Sequence, residues 1–115
     1  MPVALLNGLR VLDLGSGISA PWCSKILADY GAEVIKVEPP GIGDASRRMG
    51  PFAGNEPERE KSLTFLYLNT NKKGVTLDPS TATGRKIFDR LLVHADVLGH
   101  NNTPGQSKEL GLDYD

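Results

Sequence analysis

The chain has 115 residues, 39% hydrophobic and 23% charged, with a net charge of −1. That length and balance fit one globular domain and exclude a mainly disordered chain. The near-zero charge gives no general attraction to nucleic acid or to an anionic membrane, and no apolar run nears the roughly 20 residues of a membrane span.

The opening stretch, Met1 to Gly8, lacks a charged leader and a long apolar core, so no signal peptide is expected. Leu9, Val11, Leu12 and Leu14 form a short apolar run that reads as a strand, ended by Gly15 and Gly17. Ser19 is placed to cap a helix, and Pro21 suits the first turn, where a missing N–H matters little. Cys23, Ile26, Leu27 and Tyr30 then fall at helical spacing and are expected on its buried face. The lone cysteine thus reads as core rather than nucleophile, and it suits a reducing, cytoplasmic setting. Gly31 supplies a left-handed helix end, and Val34, Ile35 and Val37 read as a second strand. Strand, glycine turn, helix and strand form a βαβ unit with parallel strands.

Three ligand readings compete for this unit. Gly15-Ser16-Gly17-Ile18-Ser19-Ala20 fits the dinucleotide pattern G-x-G-x-x-G/A, with Glu38 at the second strand's end where an acid meets a ribose. Val11-Leu12-Asp13-Leu14-Gly15-Ser16-Gly17 is also similar to the first motif of S-adenosylmethionine-dependent methyltransferases, though Ser19 stands where they carry a glycine. The third reading depends on the rest of the chain. A bland alternative stands beside all three, in which the glycines simply turn a strand into a helix.

Residues 39–61 alternate prolines and glycines, which predicts a long loop with one helical turn over Asp44–Met49. Arg47 and Arg48 follow the strand end and are candidates for phosphate contact, whereas Arg59 and Lys61 read as solvated. Ser62–Leu68 is apolar and too short to assign as helix or strand. Val75-Thr76-Leu77 predicts a third strand, and a helix follows from between Ser80 and Thr83, burying Ile87, Phe88, Leu91 and Leu92. Asp96–Gly99 predicts a fourth strand, and residues 106–111 a further helical turn. His94 and His100 lack partners at metal-ligand spacing, so no metal site is expected.

The later segments carry a resemblance. Gly8-Leu9-Arg10-Val11-Leu12-Asp13-Leu14, Ala20-Pro21 and Leu27-Ala28-Asp29-Tyr30-Gly31-Ala32-Glu33-Val34-Ile35-Lys36-Val37-Glu38-Pro39-Pro40 come first. Gly43-Asp44, Arg47 or Arg48, Asn71-Lys72-Lys73-Gly74-Val75-Thr76-Leu77-Asp78, Gly84-Arg85 and Ala95-Asp96-Val97 follow. Asn101, Pro104-Gly105 and Leu110-Gly111-Leu112-Asp113-Tyr114 close the series. In this order and spacing they resemble the N-terminal part of class III CoA transferases, the CaiB/BaiF family of formyl-CoA transferase and carnitine CoA-transferase. The resemblance implies an α/β fold, with residues 1–115 forming the first part of a Rossmann-like large domain: a parallel sheet flanked by helices. It implies acyl-CoA and a carboxylic acid as substrates, no permanently bound cofactor, and a homodimer of the full-length protein.

The reaction so implied moves CoA through a catalytic aspartate that is not among the matched positions, so this chain contributes no catalytic residue. A 2-methylacyl-CoA racemase-type relative and a non-catalytic CoA-binding or structural half of a tandem protein are the alternatives. Positions matching the family's CoA contacts are Gly17, Ile18, Pro39, Leu77, Asp78, Asn101 and Asn102. Three of this chain's residues depart from the family pattern: Pro39 stands where some members have arginine, Asn102 where many have phenylalanine or tyrosine, and Glu109 where a basic residue is common. Glu38, followed by two prolines without N–H groups, is expected to be structural rather than a ribose ligand.

Overall fold

The computed structural model describes residues 4–112, so Asp113, Tyr114 and Asp115 lie outside the described residues. Four strands, β1 (Arg10–Asp13), β2 (Glu33–Glu38), β3 (Lys73–Thr76) and β4 (Val97–Gly99), form a sheet in the order β3-β2-β1-β4. Every neighbouring pair is parallel. The helices are α1 (Ser19–Asp29), α2 (Leu63–Leu68), α3 (Ala82–Val93) and α4 (Pro104–Glu109).

Strand side chains alternate between two faces, and the two cores follow that alternation. Val11 and Val34 pack with Ala28 and Ala32 on the α1 side. Leu12, Val37 and Leu77 pack around Phe88 of α3 on the other side. Phe88 is fully buried, but Ile87, expected beside it, is 45% exposed: the helix turns Phe88 toward the sheet and leaves the next position outward.

The first helix differs from expectation in both its cap and its buried face. Ile18 holds the N-cap position without a side-chain bond, and Ser19 is the first helical residue. The Ser19 hydroxyl is instead taken by Asn101 Nδ2 at 3.1 Å. The buried positions are Pro21, Ser24, Lys25 and Ala28, while Cys23, Ile26 and Tyr30 are exposed. The cause is polar. Asp13 is fully buried on β1, and the helix presents Ser24 to it, Oγ to Oδ2 at 2.6 Å. An apolar face there would take a donor from a buried carboxylate and press hydrocarbon against its charge.

Other segments settle as follows. Gly31 ends α1 at φ +106°, a conformation that favours glycine. Ser62 caps Leu63–Leu68 by accepting from Phe65 N, which resolves that ambiguous stretch as helix. A 3-10 turn at Ala45–Arg48 occupies the expected helical turn, capped by Asp44. The third strand starts at Lys73, earlier than the apolar run suggests, and Leu77 N still donates to Glu38 O at 3.0 Å. His94 caps the end of α3.

Candidate functional site

The loops at the carboxyl ends of the strands enclose a cavity of about 240 Å³. Each strand contributes to it: Leu14, Gly15 and Ser16 after β1, Pro39 and Asp44 after β2, Leu77, Asp78 and Pro79 after β3, and Asn102 after β4. The chain builds outward from β1 through β2 to β3, then crosses back to place β4 on the other side of β1, so the strand order reverses between β1 and β4. Such a switch point opens a crevice where parallel sheets take ligands. Its lining is mainly apolar, with Leu14, Val37, Leu77 and Leu110 beside the polar Ser16, Asp44 and Asn102.

Of the residues singled out for CoA contact, Pro39, Leu77, Asp78 and Asn102 line this cavity. Gly17 and Ile18 lie in the turn entering α1, and Ile18 is 57% exposed. Asn101 does not line the cavity; it clamps the glycine turn, accepting from Ser16 N at 3.0 Å and donating to Ser16 O. Glu109 sits exposed on α4.

Under the turn lies a layer of buried charge that no sequence motif announces. Asp13 and Lys36 are register partners on β1 and β2, so both point to the α1 face. Lys36 Nζ lies 3.9 Å from Asp13 Oδ2 and 2.7 Å from Asp44 Oδ2. It also donates to Gly15 O at 3.0 Å. Lys72 reaches the other side of Asp13, with Nζ 2.8 Å from Oδ2, and adds bonds to Pro21 O and Asn69 Oδ1. Charges alternate along the row Lys72, Asp13, Lys36, Asp44. Burial draws the Lys72 ammonium below the usual lysine range, against the opposing pull of Asp13.

The loop after β2 is tied down by the same logic. Glu38 accepts from Asp44 N at 2.7 Å and takes Arg47 in a two-pronged contact, Nε to Oε2 at 2.7 Å and Nη2 to Oε1 at 2.8 Å. Burial alone would raise the Glu38 pKa; Arg47 and the Asp44 N–H overcome it and hold the carboxyl below the usual range. Arg47 also lies over the Phe65 ring, 3.7 Å from its centre. Both groups are thereby engaged with each other: Glu38 holds the following loop, and Arg47 gives the Nε–Nη2 edge of its guanidinium to Glu38. Arg48, the other candidate, is exposed and donates to Ile42 O.

Comparisons with known proteins show the family. A family model described as CoA-transferase family III matches residues 6–115. Succinyl-CoA–D-citramalate CoA-transferase of Chloroflexus aurantiacus is 40% identical over 99% of this chain and 27% of its own length. Formyl-CoA:oxalate CoA-transferase of Escherichia coli is 36% identical over 96% of this chain and 26% of its own length. Among solved structures, a mutant of Rv3272 from Mycobacterium tuberculosis superposes with a TM-score of 0.83 at 38% identity, covering all of this chain and 30% of that one. A CAIB/BAIF family protein from Brucella suis gives 0.82 at 37% identity, with 96% and 29% covered. The chain thus spans about a quarter of the length of the curated relatives it matches. With the family model matching nearly its whole length, this chain belongs to CoA-transferase family III.

Proposed function

We propose that this chain forms part of the CoA site of an enzyme that moves CoA from an acyl-CoA to a carboxylic acid. The observation that carries the reading is the cavity at the carboxyl ends of all four strands, lined by Pro39, Leu77, Asp78 and Asn102. Gly17, Ile18 and Asn101 complete the contact set around the entrance to α1. The named relatives are CoA-transferases, which favours transfer over racemisation. Residues 1–115 act as the first part of a Rossmann-like large domain, and the complete protein works as a homodimer in the cytoplasm.

In the reaction, an aspartate carboxylate outside this chain attacks the thioester carbonyl and expels the CoA thiolate, leaving a mixed anhydride. The thiolate then attacks the anhydride, releases the first acid and gives an enzyme-bound thioester, which the acceptor carboxylate resolves in the same manner. This chain's part is to hold CoA so that binding energy is used for orientation.

Calorimetry of the chain against CoA, NAD and S-adenosylmethionine tests the binding half. Saturable heat with CoA and none with the other two is expected. Affinity below that of a complete transferase is compatible with the reading, because Pro39, Asn102 and Glu109 remove a cation, a stacking ring and a second cation. Saturable binding of NAD without CoA would refute it.

A further inference from the structure

The glycine turn has the sequence pattern of a phosphate-binding turn, but its donors are taken. Gly15 N donates to Asp13 Oδ1 at 2.7 Å, Ser16 N to Asn101 Oδ1 at 3.0 Å, and Gly17 N to Asp44 Oδ1 at 3.0 Å. Asp44 is the centre of this arrangement. Its Oδ1 also accepts Ser46 N at 2.7 Å and Ser46 Oγ at 2.6 Å. Its Oδ2 lies 2.7 Å from Lys36 Nζ, close enough for neutralisation though off the hydrogen-bond direction. The residue is 1% exposed and Ser46 is fully buried. Two backbone N–H groups, a hydroxyl and a buried ammonium converging on one carboxylate are the donor set of an anion site.

We propose that the Asp44 carboxylate is a built-in anion, filling the position a ligand phosphate takes in other glycine turns, and that it makes this turn refuse a dinucleotide's pyrophosphate. The carboxylate arrives from the loop after β2, so the same contact pins that loop to the turn. Ser16 Oγ adds to the pin by accepting Ala45 N at 3.1 Å. Asp44 is then a specificity-determining residue, and its role holds whatever ligand occupies the neighbouring cavity.

The test is chemical replacement of the carboxylate. In Asp44→Ala, Gly17 N, Ser46 and Lys36 lose their anion, and a pocket the size of a carboxylate opens among them. Formate should refill it and raise the melting temperature of that variant by at least about 4 °C more than chloride at equal ionic strength. Asp44→Asn, which keeps the side chain's volume, should show no such selectivity, and neither should the unsubstituted chain. Equal shifts in formate and chloride for a folded Asp44→Ala would overturn the proposal. If that variant folds only in formate, the proposal gains support. If it folds in neither, the unsubstituted chain decides through amide spectra recorded with inorganic pyrophosphate. Unmoved Gly15, Ser16 and Gly17 resonances are expected, and saturable shifts at all three would refute the proposal.

Discussion

Glu38 shows how a residue at the carboxyl end of a parallel strand, beside a cavity, can be structural. Its carboxylate closes the loop that follows, through Asp44 N and the Arg47 guanidinium. Glu38→Gln keeps the shape but loses the charge-assisted bonds, so a loss of roughly 1–3 kcal/mol in stability is expected. CoA affinity should change much less, and a large affinity change at an unaltered melting temperature would contradict this assignment. The pH dependence carries the same signature. Glu38 and Asp44 both have folded-state pKa values below their ordinary values of 4.5 and 3.8, Lys36 and Ser46 overcoming burial in the case of Asp44. The unfolded chain therefore binds more protons in the acid range, and stability rises with pH there. Their contribution is complete above about pH 4.5 and is lost as pH falls through the lower folded values. Denaturant titrations from pH 6 to pH 3 should show a shallower acid loss in Glu38→Gln than in the unsubstituted chain. A structural Glu38 is legible from the two prolines behind it. Lys36 and Asp13 as buried partners are not, because their meeting depends on strand register, which local pattern leaves open.

At the scale of elements, the start of α3 sets the cavity's third wall. Thr81 caps the helix by accepting Gly84 N at 3.0 Å, and Asp78 O accepts Thr81 N at 3.2 Å. These bonds fold the chain so tightly that a Cβ on Gly84 would overlap the Asp78 carbonyl oxygen. Gly84→Ala favours the helix by propensity, by roughly 1 kcal/mol. The backbone clash should outweigh that gain, giving a net loss of roughly 1–3 kcal/mol, with amide shifts spreading to Leu77 and Asp78. A stabilised Gly84→Ala variant would show that the loop yields freely. The elements themselves are largely legible: the βαβ unit, the third strand and the amphipathic α3 all follow from apolar spacing and punctuation. The rotation of α1 is not. Apolar spacing favours Cys23, Ile26 and Tyr30, whereas the buried Asp13 needs Ser24, a demand made by a different element. The cavity is legible only through family resemblance, since its wall comes from loops after four strands.

For the whole molecule, the decisive feature is that, among the described residues, the carboxylates on and around the sheet are already engaged. Asp13 lies between two lysines, Asp44 holds the glycine turn and Glu38 holds Arg47. Asp29 pairs with Lys25, Asp89 with Arg85, and Asp96 accepts Arg10 N. A nucleophilic carboxylate has to be exposed to the thioester, free to leave its partners, and faced by donors that stabilise the oxyanion. Among the described residues Asp78 comes nearest, because it lines the cavity and has no cationic partner. Its Oδ1, however, accepts both Ser80 N and Ser80 Oγ, at 2.9 Å and 2.6 Å. Those bonds hold its pKa below the usual aspartate range and make it a weaker nucleophile. The amides of the glycine turn offer it no oxyanion donors, because they are committed to Asp13, Asn101 and Asp44. The chain by itself is therefore expected to transfer no CoA. Incubation with acyl-CoA donors and a panel of acids, followed by hydroxylamine or borohydride and mass spectrometry, should find no modified carboxylate. A label on Asp78, with turnover that disappears in Asp78→Asn, would overturn this expectation and place a nucleophile at the end of the third strand.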